Sequence, residues 1–218
     1  MKRQLTIEVN VRKSMMSELV ILDFETTGSS PNYSRIIEVG AIIISDTNIV
    51  DKLSQLMYPG RSIPYFITNF TGITNQMVKG KPSPEEFMPT LKNFIGARPI
   101  LAHNASFDQK FLIAEMENSG NSIDNKFLCT LKLARRLILD APNYKLTTLT
   151  SHLKIETSKD HKPHRALSDV MATLGVWLYI KKYVASYIKT NPDLNFFEKL
   201  MQHPRKNILN LLDKYIAV

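Results

Sequence analysis

The sequence predicts a single α/β domain in which a mixed β-sheet is flanked by helices. Short aliphatic segments typical of strands dominate residues 19–57, and helical periodicity with one further strand dominates residues 83–180. Strands that come first and then mix with helices are typical of a mixed sheet rather than a purely parallel one. The 218 residues suffice for one well-buried domain with some length left over.

Four strands are predicted from aliphatic runs and the turn residues that follow them. The first, at 19–24, is followed by a turn signal that includes Gly28 and Pro31. The second and third, at 36–44 and 49–57, lie close enough in sequence to be antiparallel neighbours joined by a short polar turn. The fourth is a short buried strand at 99–102.

Helices are predicted where apolar residues recur at helical spacing behind a capping signal. Ser83-Pro84-Glu85-Glu86 combines an N-cap serine, a proline at the first helical position and a glutamate at the third. Ser106-Phe107-Asp108-Gln109 is a second capping pattern and predicts a helix that Gly120 ends. Further helices are predicted at 129–139, at 146–153, from 165 past 177, and as two short amphipathic segments broken at Pro204.

The helix that begins near residue 165 carries a candidate core stripe, formed by Leu167, Val170, Met171, Leu174 and Leu178. By helical projection Asp169 lies off this stripe. That position is either a solvated face or a face that looks into a cleft.

The composition favours a polyanionic partner. The formal net charge is +8, from 28 Lys and Arg against 20 Asp and Glu, and the sequence pI is about 9.5. Cys129 is the sole cysteine, which excludes an intrachain disulfide and a zinc site built on several cysteines. A buried thiol in a reducing compartment is the simplest interpretation.

Residues 1–17 are polar and basic, with a short apolar alternation at Ile7, Val9 and Val11. This segment is either a flexible leader or an extra edge strand, and it lacks the apolar run of a signal peptide. The apolar run at 174–180 is too short to span a bilayer. We therefore expect a cytoplasmic protein with no membrane partner.

Acidic residues follow or begin several of the predicted elements. Asp23 and Glu25 are two residues apart on a strand, so their carboxylates share one face, which is costly unless a cation neutralises them. Asp108 falls in the first turn of a helix that follows another buried strand, and Asp169 falls at the start of the long helix. Each acid alone is equally consistent with a solvated or dipole-complementing role.

The three segments 23–28, 103–108 and 164–169, taken together, resemble the three motifs of the DEDDh family of 3′-to-5′ exonucleases, which includes the epsilon proofreading subunit of bacterial DNA polymerase III. The placement of His164 five residues before Asp169 is typical of the DEDDh subgroup. The resemblance extends over residues 18–180 and includes Thr71-Gly72-Ile73-Thr74. It implies a ribonuclease H-like fold with a five-stranded mixed sheet flanked by helices.

The resemblance also implies roles: Asp23, Glu25, Asp108 and Asp169 bind two divalent cations, and His164 is the catalytic histidine. Ligands that are all carboxylate oxygens suit Mg²⁺ or Mn²⁺ rather than Zn²⁺. An imidazole, with an unperturbed pKa of about 6.5, accepts a proton from the attacking water near neutral pH.

For the substrate, the resemblance implies that residues beside the metal ligands hold the terminal nucleotide: Thr26, Thr27, His103, Asn104 and Phe107. The alternative for Phe107 is a place in the core. Ser29 stands where some relatives carry an apolar wedge, so wedging is either missing or done by another residue such as Ile73. Basic residues near the predicted cleft indicate either a strand-binding groove or ordinary solvated surface: Lys79, Lys81, Lys145, Lys159, Lys162 and Arg165.

Several functional alternatives stay open at this level. The expected partner is a nucleic acid with a 3′ end, with DNA favoured over RNA, because the motifs do not report on contacts to a 2′-hydroxyl. We expect a leader at 1–17, an exonuclease domain at 18–187 and a helical extension at 188–218. The apolar residues of the extension serve either to dock on a polymerase subunit or to pack on their own domain. A non-catalytic nucleic-acid-binding module is a third class.

Overall fold

The sheet has five strands in the order β3-β2-β1-β4-β5, in a computed structural model that describes residues 18–156 and 163–216. The strands are β1 Leu19–Thr26, β2 Ile36–Ser45, β3 Asn48–Leu56, β4 Ile100–Ala102 and β5 Phe127–Cys129. The pairs β1–β2 and β2–β3 are antiparallel, and β1–β4 and β4–β5 are parallel. The mixed five-stranded sheet is therefore confirmed. The expected leader at 1–17, with Lys159 and Lys162, lies outside the described residues.

Helices cover both faces of this sheet. They are α1 Tyr65–Thr71, α2 Asn75–Val78, α3 Pro84–Ile95, α4 Ala105–Asn118, α5 Thr130–Leu137, α6 Leu146–His152, α7 Ala166–Ile188, α8 Leu194–Gln202 and α9 Ile208–Asp213, with a 3-10 turn at Arg205–Asn207. Two of them, α1 and α2, are not predicted from the sequence, because they are short and lack a long apolar period. The strand β5 is also missed. Its last residue, Cys129, was assigned instead to the start of the expected helix at 129–139.

Alternate residues of β1 enter two different cores. Leu19 and Ile21 pack with α7, whereas Val20 and Leu22 pack with α3 and α4. Because both faces are covered, β1 is apolar almost without interruption up to Asp23, which lies beyond the last residue of β1 that pairs with β4. The covered sheet therefore holds the acidic end of β1 in a rigid position.

A glycine on β2 allows α7 to begin directly on the sheet. A Cβ atom at Gly40 would lie 2.4 Å from the backbone carbon of Ala166 and the backbone nitrogen of Leu167. Such a contact would force the helix away from the strand, because real Cβ atoms do not approach backbone this closely. The close approach determines where the first turn of α7, with Asp169, lies relative to β1.

Two expectations for the helices are corrected. Ser106 does not cap α4, which begins at Ala105 behind Asn104, a residue in the left-handed conformation with φ of 65°. On α7, Met171 is 40% exposed and does not belong to the core stripe, whereas Asp169 faces a cleft, which is one of the two alternatives expected for it. The reason is that α7 packs against the sheet and also against α5 and α6, which buries a wider face than one stripe.

The C-terminal helices pack on their own domain. Phe196, Phe197 and Leu200 of α8 join the same core as β1 and α7. The backbone N–H of Cys129 donates to the Met201 sulfur at 3.0 Å, beside the edge strand β5. These apolar residues of the extension therefore pack on their own domain, which is one of the two alternatives expected. Among the helices of the described ranges, none combines the length and apolar character needed to cross a bilayer.

Candidate active site

A cavity of about 690 Å³ opens at the carboxyl end of β1. The residues around it include all four predicted metal ligands and the predicted catalytic histidine: Asp23, Glu25, Asp108, Asp169 and His164. These residues come from β1, α4 and the approach to α7, which are distant in sequence. The fold therefore brings the three acidic segments to one place.

Each acid is held by the element that carries it. Asp23 and Glu25 both line the cavity, as their two-residue spacing on β1 predicts. Asp108 is buried, and its Oδ1 accepts a hydrogen bond from the backbone N–H of Phe24 at 3.2 Å. The Oδ2 atom of Asp169 accepts from the backbone N–H of His164 at 3.0 Å. Asp108 therefore ties α4 to β1, and Asp169 ties the start of α7 to its preceding turn.

The electrostatics of this cluster favour a bound cation. Burial, together with the charges of Asp108, Asp169 and other acids, raises the pKa of Asp23 well above its ordinary value. Burial and neighbouring acids raise the pKa of Glu25 to about 8, and burial raises the pKa of Asp108 to about 8. Without a counter-charge, Glu25 and Asp108 therefore hold protons near neutral pH.

The donor atoms are also close enough to share an ion. Glu25, His164 and Asp169 each offer one ligand atom, and these atoms all lie within 4.8 Å of one another. A cluster rich in carboxylate oxygens, with pKa values raised by burial and, for Asp23 and Glu25, by neighbouring acids, fits a hard divalent cation. The residues present therefore suit the metal that the acidic motifs imply.

We expect the raised carboxyl pKa values to make the metal-free chain less stable as pH rises. Between the ordinary glutamate pKa and about 8, the unfolded chain has lost the Glu25 proton while the folded chain retains it. In EDTA, the unfolding free energy of the wild-type chain should therefore fall relative to that of Glu25→Gln, by on the order of a few kcal/mol from about pH 5 to about pH 8. Urea unfolding of both chains at several pH values measures this difference.

Magnesium provides the control for that measurement. A bound cation neutralises Glu25, so adding Mg²⁺ should shrink the pH-dependent difference between the two chains. A difference that stays flat across the pH range in EDTA, or that Mg²⁺ leaves unaltered, would contradict a repulsive, cation-binding cluster.

His164 is placed by its backbone and by an aromatic ring. It has a left-handed φ of 63°, and its ring lies on Phe70 with the two centroids 3.7 Å apart. Phe70 belongs to α1, which the sequence did not predict. The imidazole is thus held at the wall of the cavity between α1 and the acidic cluster.

A fifth acid stands beside the cluster but is neutralised within the fold. Glu38 of β2 pairs with Glu25 across the sheet and is buried. Its carboxylate accepts from Arg165 at 2.7 to 3.2 Å and from the backbone N–H of Ala166 at 3.0 Å. Arg165 was expected as a cation near the cleft, and the structure instead commits its guanidinium to Glu38. This pair holds the start of α7 against β2, and the Glu38 carboxylate still contributes to the raised pKa values of Asp23 and Glu25.

Four of the five predicted substrate-binding residues line the cavity: Thr26, His103, Asn104 and Phe107. His103 makes contacts of 2.9 Å to the Thr130 hydroxyl and to the Tyr144 carbonyl oxygen, and burial lowers its pKa. Thr27 does not line the cavity. Its hydroxyl accepts from the backbone N–H of Arg35 at 3.0 Å, which uses it to close the β1–β2 loop.

The expectation that Ile73 acts as a wedge is wrong, because Ile73 is completely buried beside α1 and α2. The apolar walls of the cavity instead come from Phe66 and Phe70, which are exposed and were not singled out in the sequence. Their signal was available: two phenylalanines at helical i, i+4 spacing directly before Thr71.

The chain is similar to proteins of known activity. A family model described as Exonuclease matches residues 20–177. The PolC-type DNA polymerase III of Clostridium perfringens is 35% identical over 196 residues, which are 90% of this chain and 13% of that polymerase. The DNA polymerase III subunit epsilon of Aquifex aeolicus is 36% identical over 163 residues, which are 74% of this chain and 78% of that subunit.

Solved structures show the same similarity. Exonuclease X in complex with 5′ overhanging duplex DNA superposes with a TM-score of 0.62 at 30% sequence identity. The superposition covers 75% of this chain and 91% of that one. The chain therefore spans only a small part of the PolC-type relative, and most of the epsilon subunit and of exonuclease X.

Proposed function

Since the chain belongs to the exonuclease family whose model matches residues 20–177, we propose that it hydrolyses DNA from the 3′ end and releases nucleoside 5′-monophosphates. The observation that carries this proposal is the convergence of four acids and one histidine on a single cavity at the end of β1. The similarity to a DNA polymerase III epsilon subunit and to exonuclease X in complex with DNA supports DNA as the substrate, and the resemblance of the three acidic segments to the DEDDh motifs supports the 3′-to-5′ direction.

In this proposal Asp23, Glu25, Asp108 and Asp169 hold two divalent cations, Mg²⁺ or Mn²⁺. When bound, such ions lower the pKa of water and neutralise charge that develops on the scissile phosphate. The raised pKa values of Asp23, Glu25 and Asp108 support this assignment, because a carboxylate cluster of this kind is stable only with a cation or with protons.

His164 acts as the general base and takes a proton from the attacking water. Its ring reaches the same space as Glu25 and Asp169, so a water near those carboxylates lies within its range. Stacking on Phe70 limits rotation of the ring and maintains that orientation. Glu38 also helps to position His164, because it binds the Arg165 side chain and the Ala166 backbone N–H, which directly follow His164.

The terminal nucleotide lies against Thr26, Asn104 and Phe107, with its base beside Phe66 and Phe70. The paired contacts of His103 keep that side chain in one position, so it shapes the pocket rather than moving a proton. The second candidate function, trimming of RNA 3′ ends, uses the same chemistry. The proposed role is proofreading or repair of DNA in the cytoplasm. The enzyme acts either alone or together with a polymerase subunit.

The direct test is an exonuclease assay. The protein is incubated with 5′-labelled single-stranded DNA, duplex DNA or RNA in the presence of Mg²⁺, Mn²⁺ or EDTA. We expect a product ladder that shortens from the 3′ end with either metal, and intact substrate with EDTA or with Asp23→Ala. The DNA and RNA arms decide between the two substrate classes.

Two results would overturn this function. Internal fragments would indicate an endonuclease, and intact DNA and RNA under every metal condition would favour a binding module. Tight binding of DNA by a protein that never cleaves would support the latter directly.

A further inference from the structure

Large exposed aromatic side chains are concentrated between residues 33 and 70. Tyr33 is 79% exposed and Tyr65 is 80% exposed, and Tyr58 is also exposed. Large aromatic rings in water are unfavourable for the isolated chain, and a cluster of them marks a binding surface. Within the described residues, the other exposed tyrosines, Tyr179, Tyr183 and Tyr215, lie on or after α7 and are 37 to 38% exposed, which is less than half the exposure of Tyr33 and Tyr65 and slightly less than the 44% of Tyr58.

Tyr33 stands on a loop that the fold holds in place. Arg35 donates to the buried Glu115 at 2.8 and 3.0 Å and pairs with Glu85 at 2.6 Å. Lys110 Nζ donates to the Ser29 carbonyl oxygen at 2.8 Å. The loop from β1 to β2 is therefore held near both of its ends by α3 and α4, which limits the positions open to the backbone of Tyr33.

Cations lie beside the rings. Arg61 donates to the carbonyl oxygen of Tyr33, which brings the segment after β3 against the loop. A second cavity, of about 480 Å³, is lined by Tyr58, Arg61 and Lys79 together with polar residues of α2. The combination of exposed tyrosines with Arg and Lys is suited to a polyanion that also presents flat apolar rings.

Two members of this surface are close in sequence to residues of the active-site cavity. Ser29 lines the cavity, and Tyr33 lies four residues further along the same pinned loop. Phe66 lines the cavity as well, and Tyr65 precedes it on α1. The β1–β2 loop and the start of α1 therefore each carry one cavity residue and one exposed tyrosine.

We propose that Tyr33, Tyr58, Tyr65, Arg61 and Lys79 form a binding surface for the single strand upstream of the few 3′-terminal nucleotides that the cavity holds. The proposal rests on the proposed function, because it takes the terminal nucleotide to be in the cavity. The tyrosines stack on successive bases, and the two cations contact the phosphates between them. Stacking tolerates any base, so the surface holds the strand without reading its sequence.

Oligonucleotide length separates this surface from the active site. An oligothymidylate of about 3 nucleotides fills the cavity alone, whereas one of about 15 nucleotides also reaches the surface. Fluorescence anisotropy in EDTA measures the affinity for both without cleavage. We expect wild-type protein to bind the long strand more tightly than the short one, and more weakly as salt rises.

The decisive variant is Tyr33→Ala combined with Tyr58→Ala. It should weaken binding of the long strand by about 5-fold or more for each lost stacking contact and leave the short strand unaffected. Tyr33→Phe combined with Tyr58→Phe retains the rings and should restore the affinity. Tyr183→Ala, an exposed tyrosine on α7, is the matched control and should bind as wild type does.

The proposal is overturned if the alanine pair binds the long strand as tightly as wild type does. It is also overturned if the short and long strands lose affinity equally, since the effect would then lie in the cavity. Wild-type protein that binds strands in this length-dependent way but does not cleave them with Mg²⁺ would refute the proposed function and leave the surface established.

Discussion

Asp108→Asn is expected to lower the rate of 3′-end hydrolysis by about 10³-fold. The amide oxygen of asparagine can still accept the hydrogen bond that Phe24 N–H now donates to Asp108 Oδ1. The fold around β1 and α4 should therefore persist while the negative charge needed for the cation is lost. Initial rates on 5′-labelled single-stranded DNA with saturating Mg²⁺ measure the effect.

Asp140→Asn is the matched control, because the Asp140 side chain is 81% exposed and contacts His152 rather than the cavity. It should cleave at the wild-type rate. The thermal stability of Asp108→Asn in EDTA gives a second readout: removing a carboxyl whose pKa is raised should leave the metal-free chain at least as stable at pH 8. An Asp108→Asn chain that is stable and retains most of its activity would exclude this acid as a metal ligand.

His164→Ala is expected to lower kcat by about 10²- to 10⁴-fold and to alter KM much less, because the imidazole acts on the attacking water rather than on bound DNA. The ring packs on Phe70 at the wall of the cavity and is half-buried, so its loss should not unfold the chain. Full progress curves over a range of DNA concentrations separate the two kinetic parameters.

His152→Ala is the control for a general loss of a histidine, since His152 contacts Asp140 outside the cavity. We expect it to match the wild-type chain in both parameters. A His164→Ala enzyme with unchanged kcat would refute the role of general base. A large rise in KM at unchanged kcat would assign His164 to substrate binding instead.

Most of the fold was predictable from local patterns. The three long strands, the capped helix α3 and the long helix α7 all carry periodic apolar residues, and the structure confirms each within a few residues. The elements that were missed are short: α1, α2 and the three-residue strand β5. A strand of three residues is stabilised by the neighbour it pairs with, here β4, and that pairing has no signature within the strand itself.

The site shows the same division. The spacing of Asp23 and Glu25 on one strand and the position of Asp108 at a helix start follow from the sequence. Phe66 and Phe70 are four residues apart, which is the spacing of one helix face. The sequence does not show whether such a pair lies in the core or, as here, at the wall of a cavity. The placement of Ile73 as a wedge was wrong because a buried and an exposed apolar residue look alike until the packing partners are known.

The sequence by itself therefore determined the class of fold, through the order of its strand and helix patterns, and it placed the acids and the histidine in three short motifs of a few consecutive residues each. Only the tertiary structure decided which groups meet. Phe24 reaches Asp108 across 84 residues, and Arg165 reaches Glu38 across 127. Burial beside other acids then raises the carboxyl pKa values, and a pinned loop exposes Tyr33. These properties depend on distance and solvent exclusion, which a folded chain creates and a linear one does not possess.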